Sequence, residues 1–416
     1  MILGINSMGR IGKLTLWHHV ARKHFSGLVV NLGRDVGKSL EDVAQVVEKD
    51  SSYGRLGQFI HGFNGGRVIE NLDEQAGTMT IDGMPVKFLR EHRNPREIQW
   101  RSHKARLVVD CTGVFNDPTV PADAPGGALR GHLEGGAEKV VLSAPFKIKN
   151  KGLSMPDDAV TTVMGINDEV FETDRHTVIS AASCTTTCLS YMMKPLLDRF
   201  GTERLLSASM VTVHAATGSQ KVLDAMPKAG AKDLRKNRSI LNNIILTTTG
   251  AAKALPLVIP EMSKIGFMAE SVRVPTATGS LTILTLNLQP KVATNGESRS
   301  DINREVINQI YREAAEGPYS GHLVYTSEQN VSSDMIGYPR AATVIEGQET
   351  HTRTAFIHVN TSEVANISEE ARTLLANAPL EVPVTQAVIY GWYDNELGSY
   401  ASMLGDLVVS ISEKMF

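Results

Sequence analysis

The feature that most constrains this chain is the order of its first elements. MILGIN, at residues 1–6, is a short apolar strand; MGRIGKLTLWHHVARKHF has helical spacing with basic residues toward its end; GLVVNLG follows at 27–33. Strand, glycine turn, helix, strand is the sequence of a parallel βαβ unit. Further strand-like runs are ARLVVDCTG (105–113), EKVVLSAP (138–145) and TVISAAS (177–183), with a helix-like GALRGHLEGGA between the first two. Each ends in small residues, and in an open parallel sheet the ligand sits in the crevice beyond the strand ends.

Past residue 183 the rhythm changes. LLSASMVTVHAAT (205–217), MAESVRVPT (268–276), GSLTILTLNLQP (279–290) and QAVIYGWY (386–393) are strand-like, and DINREVINQIYREAAEG (301–317) reads as an amphipathic helix. Many strands with few helices argue for an α+β unit on a mixed or antiparallel sheet. The expected architecture is α/β: a doubly wound parallel-sheet (Rossmann-like) dinucleotide-binding domain over 1–183, completed by a terminal helix within 398–416, and a catalytic domain over 184–397. Two stretches read as surface inserts, NDPTVPADAPGG (116–127) and TSEVANISEEARTLLANAPLEVP (361–383).

Composition excludes several classes. With 416 residues, 42% hydrophobic, 21% charged and a net charge of −3, the chain is globular and presents no field that favours nucleic acid or an anionic membrane. No apolar run reaches the length of a membrane span, and the N-terminus lacks a basic segment before an apolar core. Three cysteines are too few for a disulfide framework. A cytoplasmic protein is the expectation.

The run Gly4-Ile5-Asn6-Ser7-Met8-Gly9-Arg10-Ile11-Gly12 lies where a dinucleotide fingerprint belongs, with the turn and helix N-terminus that receive a pyrophosphate. Ser7 stands in place of its first glycine. The acid that holds the ribose 2′-hydroxyl is missing after Asn31, where Leu32 is found, and Arg34 lies two residues on. An arginine without the acid suits a 2′-phosphate.

SAASCTTTCLS (180–190) carries two cysteines four apart, which is compatible with a metal half-site, a redox pair, a nucleophile or packing. A metal needs about four ligands, and no second cysteine pair or histidine cluster accompanies them. Cys188 therefore reads as packing, and Cys111, at the end of a buried strand, as inert. Cys184 opens a helix-like run, which places its sulfur at the positive end of a helix dipole and favours a lowered thiol pKa. His214, in VTVHAATGSQK, is a candidate base. Ser183, Thr185, Thr217, Ser219, Thr249, Gly250 and Arg273 supply the donors that hold phosphate oxygens.

Taken in order, GINSMGRIG, VVDCTGVF, LSAP, VMGIN, SAASCTTTC, VTVHAATGSQK, TTTGAAKALPLVIPE, VRVPT and WYDNELGSY resemble the phosphorylating glyceraldehyde-3-phosphate dehydrogenase family over nearly the whole chain. The resemblance implies oxidation of glyceraldehyde 3-phosphate with inorganic phosphate and NAD or NADP, through a thiohemiacetal and a thioester on Cys184, with His214 as base. It implies Thr217 and Arg273 around the substrate phosphate, and Ser183, Thr185, Thr249 and Gly250 around the attacking phosphate. Asn395 would hold the nicotinamide carboxamide, with Asn6, Gly9, Arg10, Ile11, Arg34, Thr112 and Ser143 on the cofactor. A homotetramer is implied too, with neither a metal, a nucleic acid nor a membrane as partner. Alternatives are a dehydrogenase of another phosphorylated aldehyde, such as erythrose 4-phosphate, and a regulator that binds cofactor without turnover.

The chain departs from the family pattern at several points. Ala181 and Thr187 replace two asparagines, Ala225 and Met226 stand where NAD-specific members tend to carry Leu-Pro, and the tyrosine after WYDNE is displaced by one, to Tyr400. NADP use, or dual use, is the expectation that follows from Leu32 and Arg34.

Overall fold

A computed structural model describes residues 1–291, 300–360, 363–364, 366–375 and 380–416. Among these, two large sheets organise the chain. The first has nine strands, in the spatial order Ala159–Thr161, Val178–Ser180, Lys139–Leu142, Ala105–Asp110, Ile2–Asn6, Gly27–Asn31, Met84–Leu89, Thr78–Ile81 and Ile69–Asp73. Pairing is parallel from the first of these through Met84–Leu89 and antiparallel for the last two. Helix Arg10–Arg22 is the crossover of the opening βαβ unit. Leu14, Trp17 and Val20 on that helix and Leu3 and Ile5 on the first strand are fully buried in one cluster.

The second sheet runs Ile245–Thr247, Gly266–Val274, Leu205–Ala215, Ser280–Leu288, Leu380–Tyr393, Thr343–Glu346 and Leu323–Thr326, with His351–Val359 also paired to Leu380–Tyr393. It is mixed: Leu205–Ala215 pairs parallel with Gly266–Val274 and antiparallel with Ser280–Leu288. The strand Ser280–Leu288 alternates strictly between buried and half-buried residues, as a sheet with one covered face requires. Helix Cys184–Phe200 lies against that covered face and brings Cys188, Tyr191, Met192 and Leu196 into a second core. The fold is thus α/β with a parallel-dominated sheet and a mixed one, as the sequence pattern predicts.

The helix Ser402–Glu413 returns to the first sheet, with Leu404, Leu407, Val408 and Ile411 buried beside helix Arg10–Arg22. GALRGHLEGGA contracts to a single helical turn, Gly131–Glu134. Gly127 and Gly136 flank it with positive φ, and the stretch holds too many glycines to sustain more. The strands Ile69–Asp73, Thr78–Ile81 and Met84–Leu89, and the helix Leu40–Glu48, are not singled out by the sequence reading.

The insert 116–127 is anchored rather than wholly superficial. Asp117 is buried and accepts from Thr119 Oγ1 at 2.6 Å and from the Lys149 amide at 2.9 Å. Of the insert 361–383, residues 361–362, 365 and 376–379 lie outside the described residues; helix Glu369–Leu375 buries none of its side chains. No helix among the described residues is long and apolar enough to cross a membrane.

Candidate active site

The strand Val178–Ser180 ends in a tight turn, and helix Cys184–Phe200 begins immediately after it. Ser183 is the N-cap: its Oγ accepts the Thr186 amide at 3.1 Å and lies 2.8 Å from Thr186 Oγ1. Cys184 is therefore the first helical residue, its sulfur at the positive end of the helix.

Cys184 Sγ lies 3.5 Å from His214 Nε2, on the strand Leu205–Ala215. The other ring nitrogen, Nδ1, is 2.8 Å from the Ala215 carbonyl. A carbonyl only accepts, so Nδ1 carries the hydrogen and Nε2 turns its lone pair to the thiol. Burial, aided by the positive charge of Arg273, holds the His214 imidazole neutral, its pKa pushed down to about 3. Burial also raises the Cys184 thiol, while Arg273 and bonds at the helix start pull the other way. The lowered thiol pKa expected from the helix end is thus outweighed by desolvation, and the resting pair is a neutral S–H···N contact.

Arg273 is directly beside the pair, in register with His214 on the adjacent parallel strand. Its Nη1 donates to the Ala215 carbonyl at 3.2 Å, and its Nε is buried with no partner among the described residues. The hydroxyl of Thr276, three residues on, is orphaned in the same way. A buried guanidinium nitrogen and a buried hydroxyl oxygen with no partner among the described residues are what an anion would satisfy. Thr276 was missed by the sequence reading, since a threonine in a VPT turn carries no signal beyond its nearness to Arg273.

The other hydroxyls are arranged unequally. Thr185 is buried, its Oγ1 3.0 Å from Tyr393 OH, which is 2.8 Å from Thr212 Oγ1. Thr217 Oγ1 lies 3.0 Å from Ser219 Oγ and donates to Gln220 Oε1 at 2.8 Å. Thr249 and exposed Gly250 open helix Ala251–Val258, where Thr249 Oγ1 accepts the Ala251 amide at 3.2 Å. Among the described residues no hydrogen bond joins Thr249 or Gly250 to Cys184 or His214. Tyr393, packed edge-on to the His214 ring at 6.0 Å, is a further site residue that the sequence reading passed over.

At the end of the first strand lies a cleft of about 410 Å³, lined by Asn6, Ser7, Leu32, Arg34, Arg93 and Thr112 among others. Gly9 caps helix Arg10–Arg22 with no side-chain bond to its amides, so they are open to an anion. Ser7, replacing the first fingerprint glycine, takes that glycine's conformation, φ +89°, and its Oγ accepts the Gly9 amide at 3.3 Å. Gly12 is obligatory, because a Cβ there would lie 2.0 Å from the Ser7 carbonyl oxygen. Ile11 is half-buried on the same turn.

Several candidate cofactor residues spend their side chains inside the protein. Asn6 donates to Asp110 at 2.8 Å and accepts from Asn31 at 2.8 Å; Thr112 Oγ1 donates to Asp110 at 2.6 Å. Ser143 is half-buried, its amide on the Asp110 carbonyl at 2.9 Å. Arg10 is clamped by Glu396 and Asp50, which hold it firmly protonated against the cost of burial. Asn395 differs: its Oδ1 accepts from Ser280 at 2.9 Å and Thr278 at 3.2 Å, while its Nδ2 has no partner among the described residues. An amide so oriented is a donor in waiting for a carboxamide oxygen, and the open helix start, the glycine cradle and this amide together fit a nicotinamide dinucleotide. Cys188, one turn from Cys184, is fully buried, 3.3 Å from Thr343 Oγ1, its thiol pushed up to about 12. Burial pushes Cys111 to about 12 as well.

A thiol in contact with a histidine, in a chain whose first helix opens on a glycine cradle for a dinucleotide, fits the class of nicotinamide-dependent oxidoreductases. Sequence profiles of two domains match: glyceraldehyde 3-phosphate dehydrogenase, NAD binding domain, over residues 1–118, and glyceraldehyde 3-phosphate dehydrogenase, C-terminal domain, over 183–363. The chain is 32% identical to glyceraldehyde-3-phosphate dehydrogenase 2 of Streptomyces avermitilis over 413 residues, 99% of each chain. It is 32% identical to glyceraldehyde-3-phosphate dehydrogenase 2 of Bacillus subtilis and 34% identical to the Colletotrichum lindemuthianum enzyme, covering 99% of this chain and 97% of the relative in both. The chain belongs to the glyceraldehyde-3-phosphate dehydrogenase family, and its cofactor is NAD or NADP.

Proposed function

We propose that this protein is a phosphorylating glyceraldehyde-3-phosphate dehydrogenase, converting glyceraldehyde 3-phosphate, inorganic phosphate and NAD(P)+ to 1,3-bisphosphoglycerate and NAD(P)H. The observation that carries this reading is the 3.5 Å contact between Cys184 Sγ and a neutral His214 whose other nitrogen is already bonded. As the sulfur attacks the aldehyde carbon, His214 Nε2 takes the thiol proton and returns it to the carbonyl oxygen, giving a thiohemiacetal. His214 then draws off the hydroxyl proton as hydride departs, leaving a thioester on Cys184. Hydride acceptance is the chemistry that a bound dinucleotide supplies. Phosphate attacks the thioester carbon, the thiolate leaves, and His214 reprotonates it. A thioester retains oxidation energy that hydrolysis would lose, which is why a thiol suits the task.

In this reading Arg273 and Thr217 take the substrate's phosphate, and Ser183, Thr185, Thr249 and Gly250 the attacking one. The Nε of Arg273, buried with no partner among the described residues, supports the first assignment. Asn395 serves the cofactor with its side chain and Gly9, Arg10, Ile11 and Thr112 with their backbone, with residues 1–183 and 398–416 as its domain and 184–397 as the catalytic one. The deciding experiment is steady-state oxidation of glyceraldehyde 3-phosphate with and without phosphate or arsenate. Aldehyde oxidation that neither anion accelerates would overturn the phosphorylating assignment.

NADP is accepted in this reading. Arg34 and Arg93 both line the cleft beside Leu32, and none of the lining residues is a carboxylate that would repel a 2′-phosphate. A homotetramer is the proposed assembly, supported by apolar residues left bare on the outer face of the second sheet: Val211 at 39% and Met268 at 70% exposure. Three free cysteines suit the cytoplasm, the proposed location.

A further inference from the structure

The displaced tyrosine has a structural cause and a contact. Residues Leu397–Ala401 form a π-turn, in which the Ala401 amide donates to the Glu396 carbonyl at 2.7 Å, five residues back. Such a turn accommodates one extra residue in a helix, and here it rotates residue 400 toward the interior. Tyr400 is buried, and its hydroxyl donates to the carbonyl of Ala182 at 3.1 Å. The π-turn is pinned on its other side: Ser399 Oγ donates to the Ala342 carbonyl at 3.1 Å, and a Cβ on Gly398 would lie 2.1 Å from the Tyr338 carbonyl oxygen. The hydroxyl of Tyr400 is therefore delivered from a fixed base.

Ala182 is the residue on which the nucleophile turn pivots. Its φ is +54°, a left-handed conformation that an alanine adopts only when its surroundings impose it. It is fully buried, its amide donates to Ser180 Oγ at 3.1 Å, and the preceding amide, Ala181, donates to the Leu142 carbonyl at 3.0 Å. The carbonyl of Ala182 precedes Ser183, the N-cap of the helix that Cys184 opens. Any relaxation of φ at Ala182 swings the start of that helix and, with it, Sγ relative to Nε2.

We infer that Tyr400 is a positioning residue: its hydroxyl bond to the Ala182 carbonyl holds the left-handed turn that sets the Cys184 sulfur within reach of His214. The inference rests on Cys184 being the nucleophile. It also means that Asn395 and the tether belong to one short segment, so the cofactor side of the site and the nucleophile are held by the same backbone.

The test is Tyr400→Phe, which removes one buried oxygen and keeps the ring. The expected result is a fall in kcat of about tenfold with the aldehyde KM within twofold of wild type, and slower alkylation of Cys184 by iodoacetamide with its pH profile displaced upward. Glycine occupies φ +54° without strain, so Ala182→Gly in the Tyr400→Phe background is expected to restore most of kcat and the profile. Wild-type kcat and alkylation in Tyr400→Phe would overturn the inference, as would failure of Ala182→Gly to restore them. A lowered thermal midpoint with unchanged kinetics counts against it too, since that is a purely structural role. Cys184→Ser, assayed beside these variants, separates the two readings: if it retains turnover the nucleophile assignment fails, whereas if it is inactive and Tyr400→Phe is normal, only the tether fails.

Discussion

Cys184 Sγ and His214 Nε2 stand 3.5 Å apart, and the carbonyl of Ala215 has already taken the proton-bearing side of the imidazole. The ring has one way to act, as an acceptor of the thiol proton. His214→Asn is expected to lower kcat by about 10²- to 10⁴-fold, the range that a positioned general base contributes. Cys184→Ser is expected to abolish phosphorylating turnover, and a stopped-flow measurement should show no burst of reduced dinucleotide. A burst of wild-type size in either variant contradicts the assigned roles.

Buried histidines, His18, His19 and His214 foremost, lower the stability in acid. Burial lowers His18 to about 4, His214 to about 3 and His19 well below its ordinary value of 6.5. Between the folded and unfolded values the unfolded chain binds more protons, so stability rises with pH from about 4 to 6.5 and is lost as pH falls through that window. Each histidine contributes a slope of about 1.4 kcal/mol per pH unit. Urea midpoints measured from pH 7 to pH 4.5 should fall steadily, and a flat profile would be the contrary result. Asp50, Asp158 and Asp406, each lowered to about 2, add loss in the same direction below pH 4.

Arg34→Ala is expected to weaken NADP binding about tenfold and NAD binding less than twofold, measured by equilibrium titration of the reduced dinucleotides. The asymmetry follows from a guanidinium that meets a 2′-phosphate but has no partner on a bare ribose. Equal losses for the two cofactors contradict a 2′-phosphate site.

Ser7→Gly restores a glycine at φ +89° and releases the Gly9 amide from Ser7 Oγ. The relieved strain, about 1–2 kcal/mol, and the lost hydrogen bond, about 1 kcal/mol, nearly offset, so stability should change by no more than about 1 kcal/mol. Dinucleotide affinity should rise several-fold, because the freed amide points to the helix start where a pyrophosphate binds. Unchanged affinity in isothermal titration is the opposing result.

Arg10 bridges Asp50 and Glu396, both nearly excluded from solvent, and so ties the first helix to the segment before the last one. Arg10→Ala strips Glu396 of its ion-pair partner among the described residues, while Asp50 keeps Lys13 at 2.8 Å. Removing one partner of a fully buried pair costs about 3–5 kcal/mol, and the partial exposure of Arg10 lowers the expectation to about 2 kcal/mol, read from the urea midpoint at pH 7.

The opening βαβ unit, the strand rhythm past residue 183 and the terminal helix were legible because hydrophobic period and glycine placement are local quantities. A thiol at a helix start and a histidine on a later strand were legible in SAASCTTTC and VTVHAAT, but the 3.5 Å contact between them was not. What the sequence could not reveal is how side chains are spent. Asn6 and Arg10 lie in the cofactor run, yet Asn6 serves Asp110 and Arg10 serves Asp50 and Glu396. GALRGHLEGGA has helical composition, yet its glycines allow one turn.

From residue types and spacing alone followed a parallel sheet opened by a glycine turn, a thiol at a helix start, a histidine on a later strand and a family resemblance along nearly the whole chain. Only the tertiary structure decided that the thiol and imidazole face each other uncharged, that Arg273 stands in register beside them with an Nε that has no partner among the described residues, and that Tyr400 reaches Ala182. The reason is one of range. Periodicity and turn chemistry are fixed by neighbours in sequence, whereas protonation, orphaned donors and tethers depend on burial and on partners such as Tyr400 and Ala182, which lie 218 residues apart.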